Sequence, residues 1–268
     1  MRRTLRAVWR SWLLLVLLVA ATVDGRLRRP RVGAEGAIWI HGWCRRIVAR
    51  LGIICNVEGS LPTGGAVVCN HLSYLDILLF SAVTPFVMVA KTEVRSWPLL
   101  GWLTAQAGTV YVERGGGPRT YPAVNAAMAE AYRSRLPVLF FPEGTTTDGM
   151  YPDRGVMPFR RGLFHSVLDN EVPLRVAALR YLLVEDNDGA TVANDVCWWG
   201  DMEFAPHMFS FLGLRGVRAE VRFGREIVTR EDRFVLSEGA RAEVVEMYAE
   251  LCGAGRTLRH EAELVEAL

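Results

Sequence analysis

Lysine is nearly missing from this chain: Lys91 is the only one, and arginine supplies every other basic side chain. Five cysteines (Cys44, Cys55, Cys69, Cys197 and Cys252) lie scattered in apolar surroundings with no Cys-x-x-Cys pair. That spacing argues against a zinc cluster or a disulfide framework, and for reduced thiols in a cytosol-facing body. His, Cys, Asp and Glu show no metal-ligand spacing, so no metal site is expected. Gly115-Gly116-Gly117 lacks the following Lys-Ser/Thr of a nucleotide loop. No Gly-x-Ser-x-Gly elbow is present, which disfavours a serine hydrolase. Neither a zinc-finger nor a helix-turn-helix pattern occurs, and no basic segment is interleaved with aromatics, so nucleic acid is not an expected partner. Repeats, low-complexity tracts and long linkers are absent as well.

Charge is present but unevenly distributed. The chain has 268 residues, with 31 basic and 29 acidic side chains. The first 50 residues hold eleven arginines against Asp24 and Glu35, a net of +9, which leaves the remainder at −7 (20 basic, 27 acidic). A basic leading segment on a mildly acidic body suits an anionic lipid surface. Within that segment Trp12 to Val23 is apolar apart from Thr22, with arginines on both sides. A dozen helical residues reach only ~18 Å, short of the ~30 Å hydrocarbon core. Three readings remain open: a signal peptide, a thin spanning helix with snorkelling arginines, and a half-buried anchor continued by the amphipathic stretch from Ile38 to Leu51. The third is favoured. Arginines at both ends leave the orientation rule nearly balanced.

Beyond residue 60, short apolar runs alternate with helical patterns. Gly65–Asn70, Pro85–Lys91, Gly108–Glu113, Pro137–Phe141, Leu174–Leu183 and Arg218–Phe223 read as strands, and Tyr74–Ala82, Trp97–Ala107 and Tyr121–Arg135 as helices. Ser237 is placed as the cap of a C-terminal helix reaching about Cys252. The expected fold is α/β, a mixed, largely parallel sheet flanked by helices, preceded by an N-terminal membrane-associated helical segment. The expected division is 1–55 for the anchor and 56–268 for the body, with Pro30–Gly33 the seam.

Three motifs fall at strand ends in this reading. Asn70-His71-Leu72-Ser73-Tyr74-Leu75-Asp76 follows the run Ala66–Cys69. Residues five apart do not face each other on one helix. His71 therefore has to precede the helix, with Asp76 reaching back from its first turn. A neutral imidazole oriented by a carboxylate is what activation of an alcohol requires. Ser73 to Asp76 also fits a plain capping box. Phe141-Pro142-Glu143-Gly144-Thr145-Thr146-Thr147 closes a strand with a carboxylate, a glycine and three hydroxyls, which fits either a polar binding loop or an ordinary turn. Gly108 to Arg114 is a strand ending in a guanidinium able to grip phosphate.

Taken together, over roughly residues 60–225, these motifs resemble the glycerolipid acyltransferase family, of the bacterial 1-acyl-sn-glycerol-3-phosphate (lysophosphatidic acid) acyltransferase type. That family carries Asn-His-x-x-x-x-Asp, a strand ending in Arg, Phe-Pro-Glu-Gly-Thr and an apolar block with Pro, here Val172-Pro173-Leu174. Lys91 matches the family's lysine, and Phe159-Arg160-Arg161-Gly162-Leu163-Phe164 its basic segment. The resemblance implies acyl transfer from acyl-CoA or acyl-carrier protein, as co-substrate, to the hydroxyl of 1-acyl-glycerol-3-phosphate, forming phosphatidic acid. By the same resemblance His71 is the base and Asp76 its orienter, while Asn70, Lys91, Arg114, Glu143, Gly144 and Thr145 bind substrate. It further implies no metal or organic cofactor, membrane phospholipids as surroundings, and a place on a bacterial cytoplasmic membrane with the catalytic domain facing the cytosol. Thr146 departs from the arginine found there in many phosphatidate-forming members. A Thr-rich block followed by Asp148-Gly149 resembles instead the lyso-ornithine lipid acyltransferases, which stand as the alternative acceptor class. A non-catalytic lipid-binding relative is the remaining alternative.

Overall fold

The computed structural model describes residues 2–113, 120–150, 155–185, 187, 189–228 and 232–266, with backbone alone for residues 121 and 254–266. Two helices lead the chain, α1 (Arg2–Arg28) and α2 (Ala34–Leu51), followed by β1 (Ile53–Glu58) and β2 (Ala66–Cys69). Next come α3 (Leu75–Val83), β3 (Val87–Lys91), a short 3-10 turn (Thr92–Ser96), α4 (Leu100–Gln106), β4 (Val110–Val112), α5 (Tyr121–Arg133) and β5 (Val138–Phe140). The remainder is α6 (Phe164–Asp169), β6 (Leu174–Leu183), α7 (Val192–Asp195), α8 (Phe204–Leu212), β7 (Val217–Ile227) and α9 (Arg233–Glu266).

The seven strands form one sheet in the order β1-β7-β6-β2-β5-β3-β4. All neighbours are parallel except β6 and β7, whose antiparallel pairing joins the β1–β7 pair to the parallel block β6-β2-β5-β3-β4. The expected mixed, largely parallel sheet is what forms. Ala66, Val67, Val68 and Cys69 of β2 are wholly buried, which explains a continuous apolar run rather than an alternating one. In β7, Val217, Ala219, Val221 and Phe223 are buried while Arg218, Glu220 and Arg222 alternate with them, so this strand covers the core with one face.

All six expected strands are present, and β1 is added to them. Its run Ile53-Ile54-Cys55-Asn56-Val57-Glu58 is short and mostly exposed, and it is held by parallel pairing with β7 rather than by a strong local pattern. The boundary expected between residues 55 and 56 falls inside this strand. Helix α4 starts later than expected because Trp97 precedes Pro98 and is held extended, at φ −72° and ψ 133°. Helix α9 begins at Arg233, not Ser237. Asp232 Oδ1 accepts from the Phe234 and Val235 amides at 2.6 and 3.1 Å, while Ser237 is fully buried inside the helix.

Helix α1 is 27 residues long, about 40 Å, and is the one helix among the described residues long and apolar enough to cross a membrane. Of the arginines flanking the apolar stretch, Arg2, Arg3, Arg6, Arg10, Arg26 and Arg28 are part of α1, and Arg29 follows its end. Near its start, Arg3 pairs with Asp195 and donates to Ser210 Oγ at 2.9 Å. Arg6 donates to the Gly213 carbonyl at 2.9 Å and Arg10 to that of Leu214 at 2.6 Å, both just past the end of α8, where positive charge complements the helix dipole. At the other end Gly25 lies under Trp39 and Trp102, and the indoles of Trp39 and Trp43 donate to Asp24. Gly36, near the start of α2, touches the Gln106 carbonyl so closely that a Cβ would sit 1.9 Å from that oxygen.

Candidate active site

The catalytic candidates gather where the parallel strands end. β2, β5, β3 and β4 lie side by side, and their carboxyl ends deliver His71, Gly144 to Thr146, Lys91 and Glu113 to one cavity. His71 follows β2 in a short loop, and Asp76 sits in the first turn of α3. Asp76 is fully buried, yet its carboxylate is well supplied with donors. Oδ2 accepts from His71 Nδ1 at 2.7 Å, from the Leu72 amide at 2.7 Å and from the Ser73 amide at 3.1 Å; Oδ1 accepts from the Tyr181 hydroxyl at 2.6 Å.

The contacts of the capping and orienting readings of Asp76 therefore occur together. It binds amides ahead of α3 and turns the imidazole at the same time. The reciprocal half of a capping box is not made, because the buried Ser73 hydroxyl has no partner among the described residues. With Nδ1–H held by a carboxylate, the proton-accepting atom of neutral His71 is Nε2. Phe141 lies flat against the imidazole, ring centroids 4.0 Å apart and planes 9° from parallel, so the ring has little freedom to swing.

Glu143 and Asn70 bond to backbone groups around the site. Glu143 Oε1 accepts from the His71 amide at 2.6 Å, and Oε2 from the Met157 amide at 2.8 Å. The side chain is 2 % exposed, and burial raises its pKa from 4.5 to about 7 against the lowering effect of those two amides. Glu143 thus clamps the His71 loop to the loop after β5, a junction reinforced by the Thr147 amide donating to the His71 carbonyl at 3.0 Å. Asn70, completely buried, spends its amide group on the backbone of Leu179, donating at 2.9 Å and accepting at 2.8 Å. It ties β2 to β6. Neither side chain lines the cavity.

Gly144 does line it, at φ +71°, and a Cβ there would lie 2.7 Å from Nε of Arg160, whose side chain folds over the loop. Thr145, Thr146, Lys91 and Arg160 also reach the cavity. Arg114, expected to grip phosphate, lies outside the described residues. Sequence reasoning missed Tyr181, which comes from β6, 105 positions after Asp76; no local pattern could have pointed to it. Phe141 was quoted in its motif, but its stacking role required the fold.

The cavity holds about 860 Å³. Its polar mouth carries His71, Lys91, Arg160 and the threonines, and its walls are apolar. They come from α1 (Leu14, Leu18, Ala21), α2 (Ile40, Trp43, Ile47), α3 (Leu75, Leu78) and the region of Trp198, Phe204 and Met208. Such a space fits a hydrocarbon chain with a reactive end beside the imidazole. Closing it depends on α1 and α2, so the leading helices are part of the site. Among the described residues no group of three His, Cys, Asp or Glu side chains could hold a metal ion.

An α/β sheet with a buried Asp–His pair at its carboxyl edge defines a class of fold, and comparison with known proteins places the chain in a family. The fold matches the crystal structure of the 1-acyl-sn-glycerophosphate (LPA) acyltransferase PlsC from Thermotoga maritima with a TM-score of 0.68 at 16 % identity, covering 94 % of this chain and 98 % of that one. The family model named Acyltransferase matches residues 21–178. The chain belongs to that acyltransferase family.

Among curated relatives, the lyso-ornithine lipid O-acyltransferase of Rhodobacter capsulatus is 37 % identical over 67 % of this chain and 64 % of its own length. The 1-acyl-sn-glycerol-3-phosphate acyltransferase of Neisseria gonorrhoeae is 32 % identical over 66 % of each. The lyso-ornithine lipid O-acyltransferase of Brucella abortus is 35 % identical over 74 % of this chain and 79 % of its own length. The chain thus spans slightly less than two thirds of the first two relatives.

Proposed function

We propose that this chain is a membrane-surface O-acyltransferase that moves a fatty acyl group from a thioester donor, acyl-CoA or acyl-carrier protein, to the free hydroxyl of a lysolipid. The observation that carries this reading is the Asp76-held imidazole lining a large, mostly apolar cavity. His71 Nε2 takes the acceptor's hydroxyl proton as the oxygen attacks the thioester carbonyl carbon. The carbon–sulfur bond then breaks, and the imidazolium returns its proton to the departing thiolate. Holding both reactants at one mouth supplies much of the acceleration through effective molarity. The chemistry uses no metal or organic cofactor, the donor being a co-substrate.

For the acceptor, lyso-ornithine lipid ranks ahead of lysophosphatidate, reversing the order favoured from sequence. Thr146 puts a hydroxyl at the cavity where many phosphatidate-forming relatives have a cation, and two of the relatives named above carry the lyso-ornithine name. Lysophosphatidate remains the second reading because Lys91 and Arg160 still supply positive charge. A purified-enzyme panel of lysolipid acceptors with acyl-CoA and with acyl-carrier protein tests this ranking. The expected outcome is a kcat/KM for lyso-ornithine lipid about tenfold above that for lysophosphatidate, a difference of ~1.4 kcal/mol. The opposite preference restores phosphatidate synthesis, and absence of thiol release with every acceptor and donor would leave a non-catalytic lipid-binding relative.

Attachment to the bilayer follows from α1. Both of its ends rest on the same body, Arg3 to Arg10 on the α7–α8 region and Gly25 on α2 and α4, which supports a helix lying along one leaflet rather than across two. Its outward face, Leu5, Val8, Trp9, Trp12, Leu15, Val16, Val19, Val23 and Leu27, is an exposed apolar stripe at helical spacing. In this reading the membrane is a cytoplasmic one and the cavity opens toward the cytosol beside it.

A further inference from the structure

Next to the catalytic cavity lies a second recess of about 460 Å³, lined by Phe159, Arg160, Arg161, Gly162, Arg233 and Phe234. Three guanidinium-bearing residues converge there from two separate parts of the chain, the segment before α6 and the first turn of α9. Arg161 lies 4.7 Å and Arg233 5.1 Å from the centroid of one ring, that of Phe234. Aromatic support of this kind fixes guanidinium planes while leaving their N–H edges free to bind. Compensation is sparse. Glu238 pairs with Arg161 at 3.1 Å, Arg233 lies against the His165 imidazole, and the nearby Asp232 turns its carboxylate to the α9 amides. The Arg160 guanidinium has no ion-pair partner among the described residues. Among the described residues the three guanidinium groups face the paired Glu238 and the nearby Asp232, which leaves a net positive recess suited to an anion.

Arg160 and Gly162 line both spaces, so the recess adjoins the mouth that holds His71. We propose that this arginine recess receives the phosphate-bearing end of the acyl donor's pantetheine arm; the assignment rests on the acyl-transfer reading above. The choice of donor over acceptor follows from chemistry. In lysophosphatidate the phosphate is on the carbon next to the reacting hydroxyl and must stay inside the mouth, and lyso-ornithine lipid has no phosphate. In a thioester donor the whole pantetheine arm separates phosphate from sulfur, so its anionic end needs a site displaced from the imidazole. Planar guanidinium forks bind phosphate oxygens in pairs. The half-exposed ring of Phe234 offers a face to whatever the phosphate carries.

The test compares wild type with an Arg161→Gln, Arg233→Gln double variant at fixed acceptor, using palmitoyl-CoA, palmitoyl-carrier protein and palmitoyl-pantetheine, which lacks phosphate. The expected result is a loss on the order of tenfold in kcat/KM with a phosphorylated donor, residing in the donor's KM. The acceptor's KM and turnover of palmitoyl-pantetheine keep their wild-type values. Loss confined to one of the two phosphorylated donors supports the recess and identifies which of them it serves. Arg161→Gln alone, an exposed position, should show the same donor dependence at smaller size, independently of the Arg233–His165 contact. Equal loss with all three donors, a shift in the acceptor's KM, or weaker binding to anionic vesicles with donor kinetics unaltered would overturn the proposal. A wild-type chain that transfers from no donor defeats the acyl-transfer reading itself.

Discussion

Asp76 accepts four hydrogen bonds, from His71, Leu72, Ser73 and Tyr181, and is fully buried. A carboxylate is required there because every neighbour is a donor. Asn at this position would turn an amide N–H toward one of them; against His71 Nδ1 it would favour the tautomer whose Nε2 is already protonated. Asp76→Asn is therefore expected to lower kcat by roughly a thousandfold or more with little change in either KM, as steady-state assays would show. A loss confined to KM would assign Asp76 to binding. Glu143 gives a different signal. Its pKa is raised from 4.5 to about 7, so between those values the folded chain keeps a proton that the unfolded chain has released. That contribution to stability is full below pH 4.5 and is lost as pH climbs through about 7, a change of roughly 3 kcal/mol. Glu143→Gln removes this titration. Thermal scans should show the wild-type melting temperature falling relative to the variant's over that window; a constant difference would place the titration elsewhere.

Among the elements, the sheet was legible because strands buried on both faces have to be apolar throughout, as in Ala66–Cys69, and each is followed by a loop rich in polar residues. The His71–Asp76 pair was legible for a related reason: the strand-to-helix change between Cys69 and Leu75 fixes how a side chain before the helix meets one in its first turn. What could not be read was tertiary in origin. Helix α1 extends through Arg3, Arg6 and Arg10 because their partners, Asp195 and the carbonyls after α8, lie some two hundred residues away. The bonds that Asn70 makes to the Leu179 backbone and Glu143 to the His71 and Met157 amides were illegible on the same ground. The exposed stripe on α1 carries a prediction at this scale. Trp9→Glu with Trp12→Glu should cut co-sedimentation with anionic vesicles at least tenfold while leaving the circular dichroism spectrum unchanged, because those indoles face outward. Undiminished vesicle binding would move the membrane face elsewhere.

For the whole molecule, the proposed function would join a reaction at the sheet edge to a supply of lipid at the first helix. One parallel sheet edge presents the imidazole and the cations, two leading helices line the apolar space with them, and the outer face of the first helix is the proposed membrane contact. In the proposed function the apolar space takes the hydrocarbon chain beside His71, and the arginine recess takes the anionic end of the donor. The measurement that bears most directly on this account is acceptor-dependent thiol release from palmitoyl-CoA by purified wild type and His71→Ala, with vesicle binding and thermal stability followed in parallel. The account predicts that the variant binds vesicles and melts like wild type, yet releases thiol at no more than about a thousandth of the wild-type rate. Substantial acceptor-dependent release from a folded, vesicle-bound His71→Ala protein would contradict it.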